Sequence, residues 1–151
     1  RIIEGMSGWY QELEAMPRCL VHNDFNPRNI GFRRDGEELT LCAYDWELAT
    51  INLPQRDLVE LLAFTLNDSV TAEEINGYVE YHRTCMEKHS GQTFDPVQWK
   101  RGYVLALHEF SINRVAMYLM AHTFRNYKFL ERVVRVVRIM AGYIREEKSE
   151  K

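Results

Sequence analysis

The chain predicts an α+β fold, mainly α, in which a small β-hairpin near the N-terminus precedes several packed helices. Three observations predict it. Strand-like runs at residues 30–33 and 39–44 flank an Asp35-Gly36 turn, the usual signature of a hairpin. From Leu58 onward the apolar residues recur at helical rather than alternating spacing. The 151 residues are 46% hydrophobic and 27% charged, which suits one soluble domain with a core of its own.

Residues 1–15 read as a helix, with Ile2, Ile3, Met6, Trp9, Tyr10 and Leu13 at helical spacing and Pro17 ending it. The short apolar run Cys19-Leu20-Val21 opens a hairpin region over residues 20–44, with Glu37 and Glu38 solvated at its tip. Residues 49–57 read as a loop. An apolar helix follows over residues 58–64, with Asp57 as an N-terminal carboxylate. Thr71-Ala72-Glu73-Glu74 is a capping box that starts a helix ending near Gly91. Asp95-Pro96 supplies an N-cap and a first-turn proline for a long helix to about residue 121, with Trp99, Tyr103, Leu107, Phe110, Arg114 and Met117 along one stripe. Residues 127–147 form a last helix. Its Val133-Val134-Arg135-Val136-Val137 has strand-like composition, but Leu130, Val133, Val137, Met140 and Ile144 share a helical face.

One stretch carries chemistry. Residues 22–29 read His-x-Asp-x-x-x-x-Asn: His22, Asp24 and Asn29. The hairpin that follows should bring Asn29, at its start, close to Asp45, at its finish. A carboxamide oxygen and a carboxylate then stand together, with Asp24 on the same loop. Magnesium prefers such oxygen ligands, one or two from the protein and the rest from phosphate and water. Asp24, free of the metal, could accept a proton from an attacking hydroxyl. Each residue also has a plain structural reading, since Asp24 could cap a turn and Asn29 could begin a strand. The ordered combination of strand, spaced loop, hairpin and terminal Asp favours a site.

This arrangement resembles the catalytic loop and metal-binding segment of the protein-kinase-like fold. It is most similar to the aminoglycoside phosphotransferase and choline kinase family, clearly so from about residue 20 to residue 64. Asn23 stands where protein kinases have Arg, and Asp45-Trp46-Glu47 stands in place of Asp-Phe-Gly. The resemblance implies a kinase-like C-terminal lobe using ATP and Mg²⁺. Asp24 would be the catalytic base, Asn29 and Asp45 the metal ligands, and Arg28 a phosphate contact. His22 would brace the loop against the metal-binding segment, Asp57 would tie the next helix to the loop, and Glu47 would approach a second metal through water. The acceptor would be a small hydroxyl compound such as an aminoglycoside, choline, an amino-alcohol or a sugar. Glu109 would favour a cationic one if it lines the cleft.

A kinase fold also needs a Gly-rich loop and a lysine ahead of the catalytic loop. Gly5 and Gly8 do not make that loop, and every lysine follows the motif. The expectation is a single domain over residues 1–151, a C-terminal lobe with its N-terminal lobe absent, joined to that lobe or to a larger parent chain. An inactive fragment or a non-catalytic helical interaction module is the alternative. A metal-dependent phosphoesterase using Asp24, Asn29 and Asp45 would need more ligands than the motif offers. The net charge of −3 provides no basic field for nucleic acid, and no run is long enough to span a membrane. Cys19, Cys42 and Cys85 are odd in number and form no C-x-x-C, so they are expected to be buried thiols of a reducing, cytoplasmic compartment rather than a disulfide frame. His82, His89, His108 and His122 lack ligand spacing, so surface or core roles are expected. His108, Glu109 and Arg114, charged or polar in mid-helix, are expected either to face a cleft or to form internal ion pairs.

Overall fold

A helix with apolar residues on most of its faces must be surrounded, and α4 (Pro96–Phe110) is the case here. Trp99, Tyr103, Leu105, Ala106, Leu107 and Phe110 are all buried. In the computed structural model, which describes residues 2–149 and the side chains of residues 2–142, α4 touches α1 (Met6–Ala15), α2 (Gln55–Thr65), α3 (Ala72–Ser90) and α6 (Leu130–Ser149). Val59, Leu62 and Ala63 of α2, Ile75 and Val79 of α3, and Val133, Val136 and Met140 of α6 complete the core. Each large apolar side chain buried there contributes about 1.5–3 kcal/mol. Gly102 is buried where α4 meets α2, and a Cβ there would lie 2.7 Å from Nε2 of Gln55.

The helix ends follow local chemistry. Thr71 Oγ1 accepts from the Glu74 amide while Glu74 accepts from the Thr71 amide, so the capping box forms. Gly91, at φ 69°, closes α3 in the left-handed region that glycine tolerates. Asp95 caps α4, accepting from Gln98 N at 2.8 Å, with Pro96 in the first turn. In α1 only Trp9 and Leu13 are buried; Tyr10 and Met6, which share the helical spacing, are half exposed. Residue 1, part of the helix expected over residues 1–15, lies outside the described residues, and α1 proper begins at Met6. Val133, Val136 and Val137 are helical, because their burial on one face outweighs β propensity. Arg135 pairs with Glu131 at 3.2 Å. The long helix expected up to residue 121 is interrupted by a π turn over Ser111–Val115, after which α5 (Ala116–His122) continues.

The β component is small and antiparallel. Strands β2 (Ile30–Asp35) and β3 (Glu38–Ala43) pair from Ile30↔Ala43 to Asp35↔Glu38. Gly36, at φ 61°, takes the first position of the two-residue loop, where the II′ hairpin turn places glycine. Two expectations need correction. Cys19–Val21 (β1) does not belong to this hairpin, and residues 50–52 are not loop. β1 pairs instead with β4 (Thr50–Asn52) in a separate two-stranded sheet. Val21 and Asn52 are its buried positions, and a three-residue strand leaves too little alternation to be read from sequence. Among the described residues no helix is long and apolar enough to cross a membrane.

Candidate active site

The β1–β4 pair and the β2–β3 hairpin bracket the loop at residues 22–29, and α2 anchors it from beneath. The Asp57 carboxylate, in the first turn of α2, accepts the backbone N–H of His22 at 2.7 Å and of Asn23 at 2.8 Å. The chain then turns sharply, with Asn23 at φ 61°, a conformation that Asn adopts more readily than most residues. Asn23 Nδ2 donates to the Leu48 carbonyl, and its own carbonyl accepts from Arg114 Nη2 at 2.7 Å.

These contacts present Asp24 in a fixed pose. Asn29 Nδ2 donates to the Asp24 carbonyl at 2.9 Å and to Oδ2 at 2.6 Å, and Asn26 Nδ2 donates to Oδ1 at 3.0 Å. Arg114 Nη2 lies 3.1 Å from Oδ1. Asn26 is fully buried and also receives the Arg28 amide on its Oδ1, so it organises the interior of the loop. Sequence reasoning missed it. The available signal was the Asp24–Asn26 spacing, in which a short polar side chain bonds backbone two residues away.

His22 is buried, and its Nε2 donates to the Tyr44 carbonyl at 2.8 Å, which assigns the proton to that nitrogen. Its ring lies 4.6 Å from that of Trp46. The Tyr44 amide in turn donates to the Asn29 carbonyl at 3.0 Å. Asn29 and the residue before Asp45 are therefore joined at the open end of the hairpin. β3 ends at Ala43, and Asp45 follows in an exposed left-handed conformation at φ 65°, just ahead of a 3₁₀ turn that contains Glu47. Such a backbone on a non-glycine residue is uncommon and clusters at functional sites. Arg28 is exposed, with Nη2 3.3 Å from the Tyr118 hydroxyl.

Beside the loop is a cavity of about 390 Å³ whose wall includes Asn23, Asn52, Arg56, Glu109, Asn113 and Arg114. Asp24, Asn29 and Asp45 do not line it. Asn23, the residue before Asp24, and Arg114, which contacts the Asp24 carboxylate, do. Three of the wall residues join buried Glu60 in a chain of alternating charges. Arg114 lies 3.6 Å from Glu60, Arg56 binds Glu60 at 2.7 Å, and Arg56 approaches Glu109 at 3.8 Å. Glu60 is fully buried. Burial pushes its carboxyl above the ordinary value, and Arg56 and Arg114 pull it back. Both expectations for Glu109 and Arg114 hold together, since they face the cavity and are ion-paired. Asn52, which donates to both Glu109 oxygens, Arg56, Glu60 and Asn113 had no sequence pattern to single them out. His108 is in ring contact with Trp9 and His82 with Trp99. Among the described residues no group of three or more His, Cys, Asp or Glu is arranged to hold a metal.

Asn29 and Asp45 are two hard oxygen donors at one end of a hairpin. The Asn29 Nδ2 hydrogens go to Asp24, so the group it has to offer a cation is its carbonyl oxygen. That donor set fits Mg²⁺, which takes few protein ligands when phosphate and water supply the others.

No curated protein and no solved structure matches the chain. The sequence model of the phosphotransferase enzyme family matches residues 6–91, more than half of the chain, from the first residue of α1 to the glycine that closes α3. The matched span holds the loop, the hairpin, Asp45 and Asp57. The chain therefore belongs to the phosphotransferase enzyme family.

Proposed function

We propose that the chain is a kinase-like C-terminal lobe that transfers the γ-phosphoryl group of ATP to a hydroxyl of a small acceptor, with Asp24 as the base. The pose of Asp24 carries this reading. Its carboxylate is held by Asn26, Asn29 and Arg114 beside a polar cavity large enough for a small acceptor. In the transfer, the acceptor oxygen forms a bond to Pγ, the bond from Pγ to the bridging oxygen breaks to leave ADP, and the hydroxyl proton passes to Asp24. Asn29 and Asp45 would hold Mg²⁺, which when bound supplies charge neutralisation for the β- and γ-phosphates. Arg28 is exposed next to the loop and reaches the phosphates in this reading. His22 and Asp57 support the loop through the Tyr44 carbonyl and the His22 and Asn23 amides.

The cavity wall favours a polyhydroxylated acceptor over a quaternary amine. Recognition of a quaternary ammonium uses a cage of aromatic faces, and Tyr10 is the aromatic residue on this wall. Glu109 is already engaged by Asn52 and Arg56. Arg18, Arg56 and Arg114 outnumber Glu14 and Glu109 along the wall, so it is no trap for cations. Asn23, Thr50, Asn52 and Asn113 offer neutral donors and acceptors suited to hydroxyls. The exposed apolar face of the hairpin, with Phe32, Leu39 and Leu41, supports a docked N-terminal lobe that completes the nucleotide site. The cysteines are not buried as expected, since Cys42 is exposed and Cys19 and Cys85 are partly exposed, but all three are unpaired, which supports a cytoplasmic setting. A two-metal phosphoesterase draws on several His and carboxylate ligands, which the described residues do not cluster.

The test is transfer of labelled γ-phosphate from ATP to sugars, aminoglycosides and choline, by the protein and by Asp24→Asn. Loss of general-base help lowers the rate by about 10²–10⁴-fold. Transfer unchanged in the variant would refute the role of Asp24, and preferential use of choline would refute the acceptor assignment.

A further inference from the structure

We infer that Arg114 is a positioning residue for the transfer, turned onto the catalytic loop by the π turn in the helix that crosses behind it. This rests on the reading of Asp24 as the base. Tyr103, Leu107, Phe110 and Arg114 follow one another at spacings of four, three and four, so an uninterrupted α-helix would aim Arg114 into the core with the other three. Those three are buried on that face. The π turn over Ser111–Val115 contains one residue more than an α turn, which advances the stripe by one position. Val115 takes the buried place that Arg114 would have had. Arg114 is released toward the loop, where its Nη2 meets the Asn23 carbonyl and Asp24 Oδ1. Met117, the next residue of the stripe, is correspondingly half exposed.

The position is over-determined from behind. Glu60 of α2, fully buried, faces Arg114 Nε at 3.6 Å and is itself held by Arg56 at 2.7 Å. One guanidinium thus meets the left-handed turn at Asn23, the adjacent carboxylate and the buried carboxyl of Glu60. A planar donor group can span these three where a point charge cannot. The expected consequence is that Arg114 fixes where the Asp24 carboxylate stands without touching nucleotide.

The experiment compares the protein with Arg114→Gln and Arg114→Lys by native-state hydrogen exchange and by steady-state kinetics. The amides of Asn26 and Asn29, bonded to carbonyls inside the loop, exchange at least about tenfold faster in Arg114→Gln, while those of Ile75 and Val79 in α3 stay within about twofold. The kcat of Arg114→Gln falls at least about tenfold with KM for MgATP within about twofold, and Arg114→Lys recovers part of both effects. Unchanged loop exchange, or equal acceleration in α3, overturns the inference, as does a loss confined to KM for MgATP. A protein that transfers no phosphate yet shows the loop-specific acceleration refutes the phosphotransferase reading and leaves the positioning of the loop by Arg114 standing.

Discussion

Asp57→Ala is the most telling structural perturbation, because one carboxylate holds two backbone amides from more than thirty residues away. His22 N and Asn23 N donate to its two oxygens at 2.7 and 2.8 Å. Hydrogen bonds to a charged group contribute about 1.5–3 kcal/mol each, and a buried donor left without a partner costs a similar amount. Taking the lower figure because Asp57 is only partly buried, the two bonds give about 3 kcal/mol. That is a large fraction of the ~5–15 kcal/mol typical of a domain. It corresponds to a Tm lower by about 6–12 °C for a chain of this size. Urea titration and calorimetry read the effect, with Asp68→Ala as the comparison. Asp68 meets Arg135 at 3.6 Å with both side chains about half exposed, and such a pair contributes about 0–1 kcal/mol. If Asp57→Ala costs no more than Asp68→Ala, the anchoring of the loop by α2 is wrong.

Other outcomes follow from the same packing. Gly102→Ala destabilises by about 1–2 kcal/mol in urea titrations, since the contact with buried Gln55 outweighs the helix propensity gained. Gly77→Ala in α3, where a Cβ meets nothing within 4 Å, stabilises by up to about 1 kcal/mol. Burial lowers the His82 pKa to about 4. The unfolded chain therefore takes up a proton near pH 6.5 that the folded chain refuses, and stability falls as pH drops from about 6.5 to 4. Comparing urea stability at pH 7 and pH 4.5, His82→Phe should remove about 1–2 kcal/mol of that fall; an unaltered pH slope would count against it. Glu109→Gln should change kcat/KM for neutral and amine-bearing acceptors alike, within about threefold of each other. A loss of about thirtyfold or more confined to amines would show that the cavity does recognise a cation.

What could be read from the residues was local. The Thr71–Glu74 box, the Asp95-Pro96 start and Gly91 each act within a few positions and take their expected places, whereas the hairpin turn falls one residue later than Asp35-Gly36, at Gly36-Glu37. The candidate loop stood out for the same reason, because His22, Asp24, Asn29 and Asp45 lie in order along one short stretch. The β1–β4 pairing joins residues about thirty apart through three-residue strands, which leave no periodic trace. The π turn was hidden because Arg114 fits the α-helical stripe by spacing. Burying an arginine there would be costly, and the chain avoids this by shifting register so that Val115 packs instead. Arg56, Glu60 and Asn52 join the site only through tertiary contacts between α2, β4 and the end of α4.

The most direct test of the account is to follow amide resonances of the protein while Mn²⁺·ATP is added, with Asp45→Asn as the comparison. Paramagnetic broadening is expected at Asp24, Asn29, Tyr44 and Asp45, little at Tyr81 on α3, and loss of the effect in the variant. Broadening centred elsewhere, or undiminished in Asp45→Asn, would contradict the assignment of the hairpin end as the metal and nucleotide site.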